Sequence, residues 1–441
     1  MGIKNYKNNI IKEFPNISSK TKPKNIEVLC IDVNTILHKV CHIAKSKEKY
    51  GKILISFLKK EINLIKPKFV AIFTDGQAIL AKANTQIKRR NKYLYNKSSG
   101  ISSLNLTPGT PFMDYIDDTI IEYLSKLSIK SYYSSSKENN EGEIKLFNWL
   151  IKENINGNIC VYGNDSDIIV LSLASRPLID IYIYNDVNFI SIKELILCLS
   201  KFTPNKFNFK WHPVRMDFVL LSLFQGNDYN SSISNFKNLV KGYKKLQKKK
   251  EGFLIRRNGE LNLQSIRKLL DYIKYKQPVI CDYANVNSYF KCIQWNINLY
   301  TNKMVSNFIP SYDVINITSI LNNFPKKITF NVNELKWLHP DVYLLMLMPV
   351  TGKDLLPNRL KHLMDKDSPI KDLFPEPCQI CIEWKNKLKS FKKPPEEEKE
   401  EMSNYKRLIS ETNVSYNKHI NEFHSNEELP IQRIQLEVDK L

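Results

Sequence analysis

No stretch of this 441-residue chain approaches the ~18 consecutive apolar residues that a membrane helix needs. Its first residues, Met1-Gly2-Ile3-Lys4-Asn5-Tyr6, carry charge and lack the apolar core of a secretory leader. A membrane-spanning or secreted protein is therefore not expected. Cysteine is sparse as well, eight residues scattered along the chain. Only Cys378 and Cys381 form a C-x-x-C, with no second pair beside it to close a tetrahedral zinc site, while Cys30 and Cys160 sit inside apolar runs as small hydrophobes. That usage fits a reducing compartment, with the cytoplasm expected and the nucleus as the alternative. Acid is the third deficit: 45 Asp and Glu stand against 66 Lys and Arg, a net charge of +21. Such an excess favours polyanionic partners, although part of it has an ordinary source in the Lys-, Asn- and Ile-rich composition that AT-rich coding sequence produces.

The few acids are not spread evenly. Four apolar runs end in them: Val28-Leu29-Cys30-Ile31-Asp32, Val70-Ala71-Ile72-Phe73-Thr74-Asp75, Ile159-Cys160-Val161-Tyr162-Gly163-Asn164-Asp165-Ser166-Asp167, and Leu220-Leu221-Ser222-Leu223-Phe224-Gln225-Gly226-Asn227-Asp228. Ligands of parallel α/β sheets bind just beyond the carboxyl ends of the strands, and hard divalent cations take oxygen ligands there. A lone Asp at such a turn is as readily a helix cap. Four together in a basic chain point to a divalent-metal site working on a polyanion.

Residues 26–32, 68–74, 158–162 and 179–185 read as short strands apolar on both faces. Helical patterns fill the intervals, at roughly 51–65, 77–97, 112–128, 141–153, 166–174 and 191–201, with another at 213–225. The alternation predicts an α/β fold: a mostly parallel central sheet with flanking helices. The expected organisation is a catalytic α/β domain over 1–236, a solvated basic linker over 237–262, a mainly helical second region over 263–390 that completes the active-site pocket, and a partly disordered tail over 391–441.

Two-metal cleavage of a phosphodiester needs carboxylates holding ions about 4 Å apart. Asp32, Asp75, Asp165, Asp167 and Asp228 are candidates, and Glu141-Gly142-Glu143 adds two more. In a turn at a helix start both glutamates can face a cleft, and Gly142 permits close backbone approach. The ordinary alternative for these two is a pair of first-turn acids favoured by the helix dipole. Directly after Asp75, Lys82, Gln86, Arg89 and Arg90 fall at i, i+4, i+7 and i+8, so a helix over this stretch shows one cationic face suited to a phosphate. His38, six residues beyond Asp32, can stack on a base or serve structurally.

With these residues in view, the chain resembles the Xrn family of 5′→3′ exoribonucleases. The resemblance runs through Met1-Gly2-Ile3, Phe14-Pro15, Asp32-Val33-Asn34-Thr35-Ile36-Leu37-His38, the Thr74-Asp75-Gly76 to Arg89-Arg90 block, Thr107-Pro108-Gly109-Thr110-Pro111-Phe112-Met113, Glu141-Gly142-Glu143, Tyr162-Gly163-Asn164-Asp165-Ser166-Asp167 and Asp217-Phe218-Val219 to Gly226-Asn227-Asp228. It is weaker at Gln294-Trp295, Phe308-Ile309-Pro310, Tyr312, Asp354-Leu355-Leu356-Pro357 and Ser368 to Pro375, and covers about residues 1–390. It implies a fold of the PIN and flap-nuclease type and two Mg²⁺ ions, or Mn²⁺. It implies stepwise release of mononucleotides from single-stranded RNA bearing a 5′-monophosphate. Asp32, Asp75, Glu141, Glu143, Asp165, Asp167 and Asp228 match the family's metal-site acids. Lys82, Gln86, Arg89 and Arg90 match its 5′-phosphate pocket, and His38 its base-stacking histidine. It further implies a monomer without membrane contact, fed by decapping machinery, and the compact, AT-biased chain suits a viral or streamlined source.

Three positions depart from the family pattern. Thr35 replaces a Gly, Ile144 replaces a His after Glu-Gly-Glu, and Val305-Ser306-Asn307-Phe308 stands where a Trp-rich stretch is expected. The Trp that would sandwich a terminal base against His38 is thus missing, with Trp295 and Phe308 as substitutes to consider. Base stacking contributes about 1–3 kcal/mol per base, so processivity is expected to suffer. The rival readings are a DNA-directed 5′ nuclease or flap endonuclease, and a non-catalytic nucleic-acid-binding protein.

Overall fold

The computed structural model describes residues 3, 5–95, 101–155, 157–175, 178, 180–203, 213–275, 277–301, 307, 315–329, 335–395, 399–423 and 429–441. The chain divides into two compact units: residues 1–44, 48–82 and 116–337 form the first, and 45–47, 83–115 and 338–441 the second.

The first unit is built on seven strands: β1 Ser18–Ser19, β2 Ile26–Asp32, β3 Phe69–Phe73, β4 Lys130–Ser134, β5 Asn158–Tyr162, β6 Ile181–Tyr184 and β7 Phe189–Ser191. They lie in the order β1-β7-β6-β5-β2-β3-β4. From β6 to β4 every pairing is parallel; β7 runs antiparallel to β6, and β1 to β7. The expected mostly parallel α/β fold is what forms. β2, β3 and β5 are buried because their sequences are apolar on both faces, as a sheet covered by helices on both sides requires. β4 escapes the sequence reading because it is an edge strand of Lys-Ser-Tyr-Tyr-Ser, exposed over its first half.

The basic stretch 237–262 is not a linker. Phe236–Lys248 is a helix whose Phe236, Leu239, Val240, Tyr243 and Leu246 are buried in the core, while Lys237, Lys241, Lys244, Lys245 and Lys248 occupy its outer faces. Lysine density masked an apolar stripe at i, i+3, i+4, i+7 spacing. The helix is further pinned by Asp217, whose carboxylate accepts from Tyr243 Oη at 2.7 Å and from the backbone N–H groups of Leu254 and Ile255 at 2.8 and 3.0 Å. Burial still pushes the Asp217 carboxyl up to about 8. Arg215, wholly buried on the same helix as Asp217, donates to the carbonyls of Leu173, Ser172 and Leu178 at 3.0, 2.8 and 2.9 Å.

The expected boundary at 263 also moves, since residues 263–337 belong with the sheet and the second unit begins at 338 apart from its two earlier segments. The expected tail carries two helices, Lys399–Phe423 and Ile431–Val438. Ile434 and Val438 are buried, and Arg433 grips Asp372 with two hydrogen bonds of 2.7 Å. Residues 396–398 of the expected hinge lie outside the described residues. No described helix is long and apolar enough to cross a membrane.

Candidate active site

Asp32 is the last residue of β2, Asp75 stands two residues past β3, and Asp165 and Asp167 follow β5. These three strands are neighbours, β5-β2-β3, and parallel, so their carboxyl ends deliver the acids to one place. Asp32, Asp75 and Glu143 each offer a carboxylate oxygen, all within 4.8 Å of one another. Glu141 and Glu143 bracket the start of the Gly142–Lys152 helix, as the turn reading requires. A Cβ at Gly142 would lie 3.0 Å from Asp32 Oδ1 and 3.1 Å from Asn34 Nδ2, so a side chain here would press on the atoms that set the acids. Its N–H donates to Asp75 Oδ1 at 2.7 Å.

Lys82 departs from its expected role. The stretch 77–97 is not one helix: a 3-10 turn covers Leu80–Lys82, and the α-helix begins only at Ala83 and ends at Arg90. Lys82 is the last residue of that turn, directly before the helix. It is 4% exposed and its ammonium pairs with Glu141 and, at 3.2 Å, with Asp228. Glu141 and Asp228 thus hold an internal cation instead of joining the tight three-carboxylate group. Asp228 follows a turn at Gly226, whose φ of +83° and close approach to the Ser232 nitrogen exclude a side chain. Asn227 in that turn donates to Asn296 Oδ1 and Tyr300 Oη at 3.2 and 3.3 Å, so the Tyr283–Tyr300 helix braces it.

Burial and neighbouring acids raise four of the carboxyls. Burial, then Asp75 and Asp165, drive the Asp32 carboxyl well above its ordinary range. Burial and Glu141 push Asp75 up to about 6. Glu143 is raised by burial, Glu141 and Asp32. Burial carries Asp167 to about 6, with Lys82 pulling down and Asp228 and Asp165 pushing up. Burial opposes the Lys82 ammonium, but Glu141, Tyr229, Glu143 and Asp228 more than offset it and hold the lysine charged. Asp167 Oδ1 is buried with no hydrogen-bond partner among the described residues. Buried carboxylates with raised affinity for protons, oxygen-only donors and an orphaned oxygen are the donor set of a hard divalent cation.

Three contributors escaped the sequence reading. Asn34 donates from its backbone and side chain to Asp32 Oδ1 at 3.2 and 3.0 Å and accepts from the Asp75 N–H at 3.4 Å, orienting two acids at once. Lys145, buried beside Asp75, donates to the Ser135 carbonyl at 2.7 Å, and burial pulls its ammonium down to about 8. Tyr229 closes the Lys82 side of the cluster and packs edge-on against Trp295 at 5.1 Å. The Asp-x-Asn spacing was the one available signal for Asn34; a buried Lys or Tyr leaves none.

Gln86, Arg89 and Arg90 belong to the second unit. Arg90 donates from Nε to Thr107 Oγ1 at 2.9 Å and from Nη1 to the Gln86 carboxamide, which fixes its guanidinium plane. His38 is exposed in the last turn of the Asn34–Cys41 helix. Trp295 is wholly buried in the core and is no stacking platform; Phe308 lies outside the described residues. Ile144 is buried in the hydrophobic core, so the position held by His in the family pattern serves packing here.

Comparison with known proteins finds similarity to one family. Residues 1–100 and 91–183 match the model of the family described as XRN 5'-3' exonuclease N-terminus. Over that part the chain is similar to the Xrn family. It is 25% identical over 346 residues to 5'-3' exoribonuclease 1 of Saccharomyces cerevisiae, covering 62% of this chain and 22% of that protein. Against 5'-3' exoribonuclease 1 of Homo sapiens identity is 24% over 296 residues, 52% of this chain and 17% of the relative. The Xrn-related part thus spans about a fifth of the length of these curated relatives. Among solved structures, the catalytic core of Rad2 in complex with DNA aligns with TM-score 0.37 and 13% identity over 80% of this chain and 95% of that one. T5 D15 protein co-crystallised with metal ions aligns with TM-score 0.34 and 8% identity over 62% and 86%.

Proposed function

We propose that this chain is an Xrn-type, metal-dependent 5′→3′ exoribonuclease that releases mononucleotides from RNA bearing a 5′-monophosphate. The observation that carries the reading is the convergence of Asp32, Asp75 and Glu143 oxygens within 4.8 Å, beyond the carboxyl ends of adjacent parallel strands, with Glu141 and Asp228 paired to Lys82 and Asp165 acting on Asp32 and Asp167. A non-catalytic binding protein would have no use for so many like charges in one place.

Asp32, Asp75 and Glu143 fit a first divalent ion, Mg²⁺ or Mn²⁺. A second ion would draw on Asp165, Asp167 and Asp228, with Glu141 as a further acid of the set, in exchange for the Lys82 pairing. When bound, such ions activate water and stabilise the leaving oxygen of a phosphodiester. The chain's own residues prepare the place: Asn34 orients Asp32, the Gly142 N–H orients Asp75, and Lys82 balances part of the negative charge. Gln86, Arg89 and Arg90 are assigned to the 5′-terminal phosphate, supported by the fixed plane of Arg90 and by the match of these positions to the family pattern. The exposed imidazole of His38 is assigned to the terminal base.

The decisive experiment offers equal RNAs with 5′-monophosphate, hydroxyl, triphosphate or cap, beside a matched DNA, with Mg²⁺ or EDTA. Only the monophosphorylated RNA is expected to vanish, only with Mg²⁺, and as mononucleotides. Indifference to the end group overturns the 5′-end reading, and short oligonucleotides from structured DNA would make the chain a flap-type nuclease. Asp165→Ala with Asp167→Ala should abolish cleavage while RNA binding persists.

A further inference from the structure

One other group of metal-ligating side chains comes together among the described residues, far from the acids in sequence. Cys378 Sγ, Cys381 Sγ and an imidazole nitrogen of His419 all lie within 4.8 Å of one another. All three belong to the second unit. Cys378 directly precedes the Gln379–Ser390 helix and Cys381 is its third residue, so the C-x-x-C spacing presents both sulfurs at one helix end. His419 reaches them from the Lys399–Phe423 helix, which packs against the first.

Cys378 Sγ stands 3.5 Å from His419 Nε2. Zinc bonds of about 2.3 Å to sulfur and about 2.0–2.1 Å to nitrogen, set at a tetrahedral angle, separate the two ligand atoms by about 3.5 Å. A thiol-to-imidazole hydrogen bond gives a similar distance, but such a pair has no need of the second sulfur. Cys381 is wholly buried, while Cys378 and His419 are partly exposed, so the group is walled on one side and open on the other.

A second observation asks for something to hold these helices. Cys381 is the one buried residue of the Gln379–Ser390 helix, and Thr412 the one among the described side chains of Lys399–Phe423. Helices with so little buried apolar surface gain little from packing, which supplies most helical stability in proteins.

We propose that Cys378, Cys381 and His419 bind one zinc ion, with water in the fourth position, and that the ion fastens the two helices together. Binding sends two thiol protons to solvent. The two thiolates neutralise the dication, neutral imidazole completes the protein ligands, and no electron moves. Thiolate and imidazole select zinc over magnesium, so this site and the acid cluster do not compete for one metal.

The test uses the reduced full-length chain. Elemental analysis should find about one zinc per chain, lost in Cys378→Ser with Cys381→Ser. Cobalt(II) added to the metal-stripped chain should give the intense thiolate-to-cobalt charge-transfer band and tetrahedral visible bands, absent from the double variant and unchanged in Asp32→Asn. His419→Ala should weaken zinc at least about tenfold, and His419→Cys should restore it with a stronger charge-transfer band. Failure of the reduced wild-type chain to give the thiolate–cobalt band overturns the proposal. So does a zinc content unaffected by the double substitution, or a stable Cys378–Cys381 disulfide that leaves the chain unable to take zinc. None of these results depends on nuclease activity.

Discussion

Replacing Lys82 with Met would strand Glu141 and Asp228 opposite each other and remove the cation that tempers Asp75, Glu143 and Asp167. Breaking a buried ion pair from one side costs about 3–5 kcal/mol. Lys82→Met is therefore expected to lose stability of that order in denaturant titrations without metal, and to recover a larger share on adding Mg²⁺ than the wild-type chain gains. Equal gains in the two proteins would show that Lys82 is not electrostatically part of the acid group. The acids themselves were legible, because strand-end carboxylates after apolar runs are unusual in so basic a chain. The partition among them was not. Lys82 reads as one cation of a stripe; that it is buried and paired with Glu141 and Asp228, both remote along the chain, is encoded in no local pattern.

The Phe236–Lys248 helix offers a test at the scale of an element. Tyr243→Ala should cost about 3–5 kcal/mol and Leu239→Ala about 2–5 kcal/mol, while Lys241→Ala and Lys248→Ala stay within about 0.5 kcal/mol, all by chemical denaturation. Near-neutral effects from the first pair would restore the linker reading. β2 and β5 were legible to the residue because both faces are apolar and the run ends in acid. β4 and β1 were hidden because edge strands carry polar residues and borrow their shape from a neighbour, and β7 because it is only three residues long. Lysine-rich helices mislead in the same way: the charges dominate composition, and the apolar stripe is visible only by its spacing.

Stability against pH belongs to the whole chain. Asp75 and Asp167 are raised from 3.8 to about 6, so between those values the folded chain holds protons that the unfolded chain releases. Their contribution to metal-free stability is present below 3.8 and is lost as pH rises through about 6. Divalent cations need the deprotonated carboxylates, so the rise in Tm caused by Mg²⁺ should grow across the same window. A Tm increment that is flat from about pH 5 to about pH 8 would show that these acids are not the ligands. The division into two units was beyond sequence reading, because the second is assembled from segments 45–47, 83–115 and 338–441 that are remote along the chain. The first unit ends one of its segments at Lys82, and the second resumes at Ala83. Lys82 is thus a mooring at the point where the chain leaves the sheet for the segment bearing Gln86, Arg89 and Arg90. Whatever takes over the charge of its ammonium also slackens that line. Amide hydrogen exchange at residues 82–85 would then act as a built-in gauge of occupancy at the carboxylates, readable without any substrate.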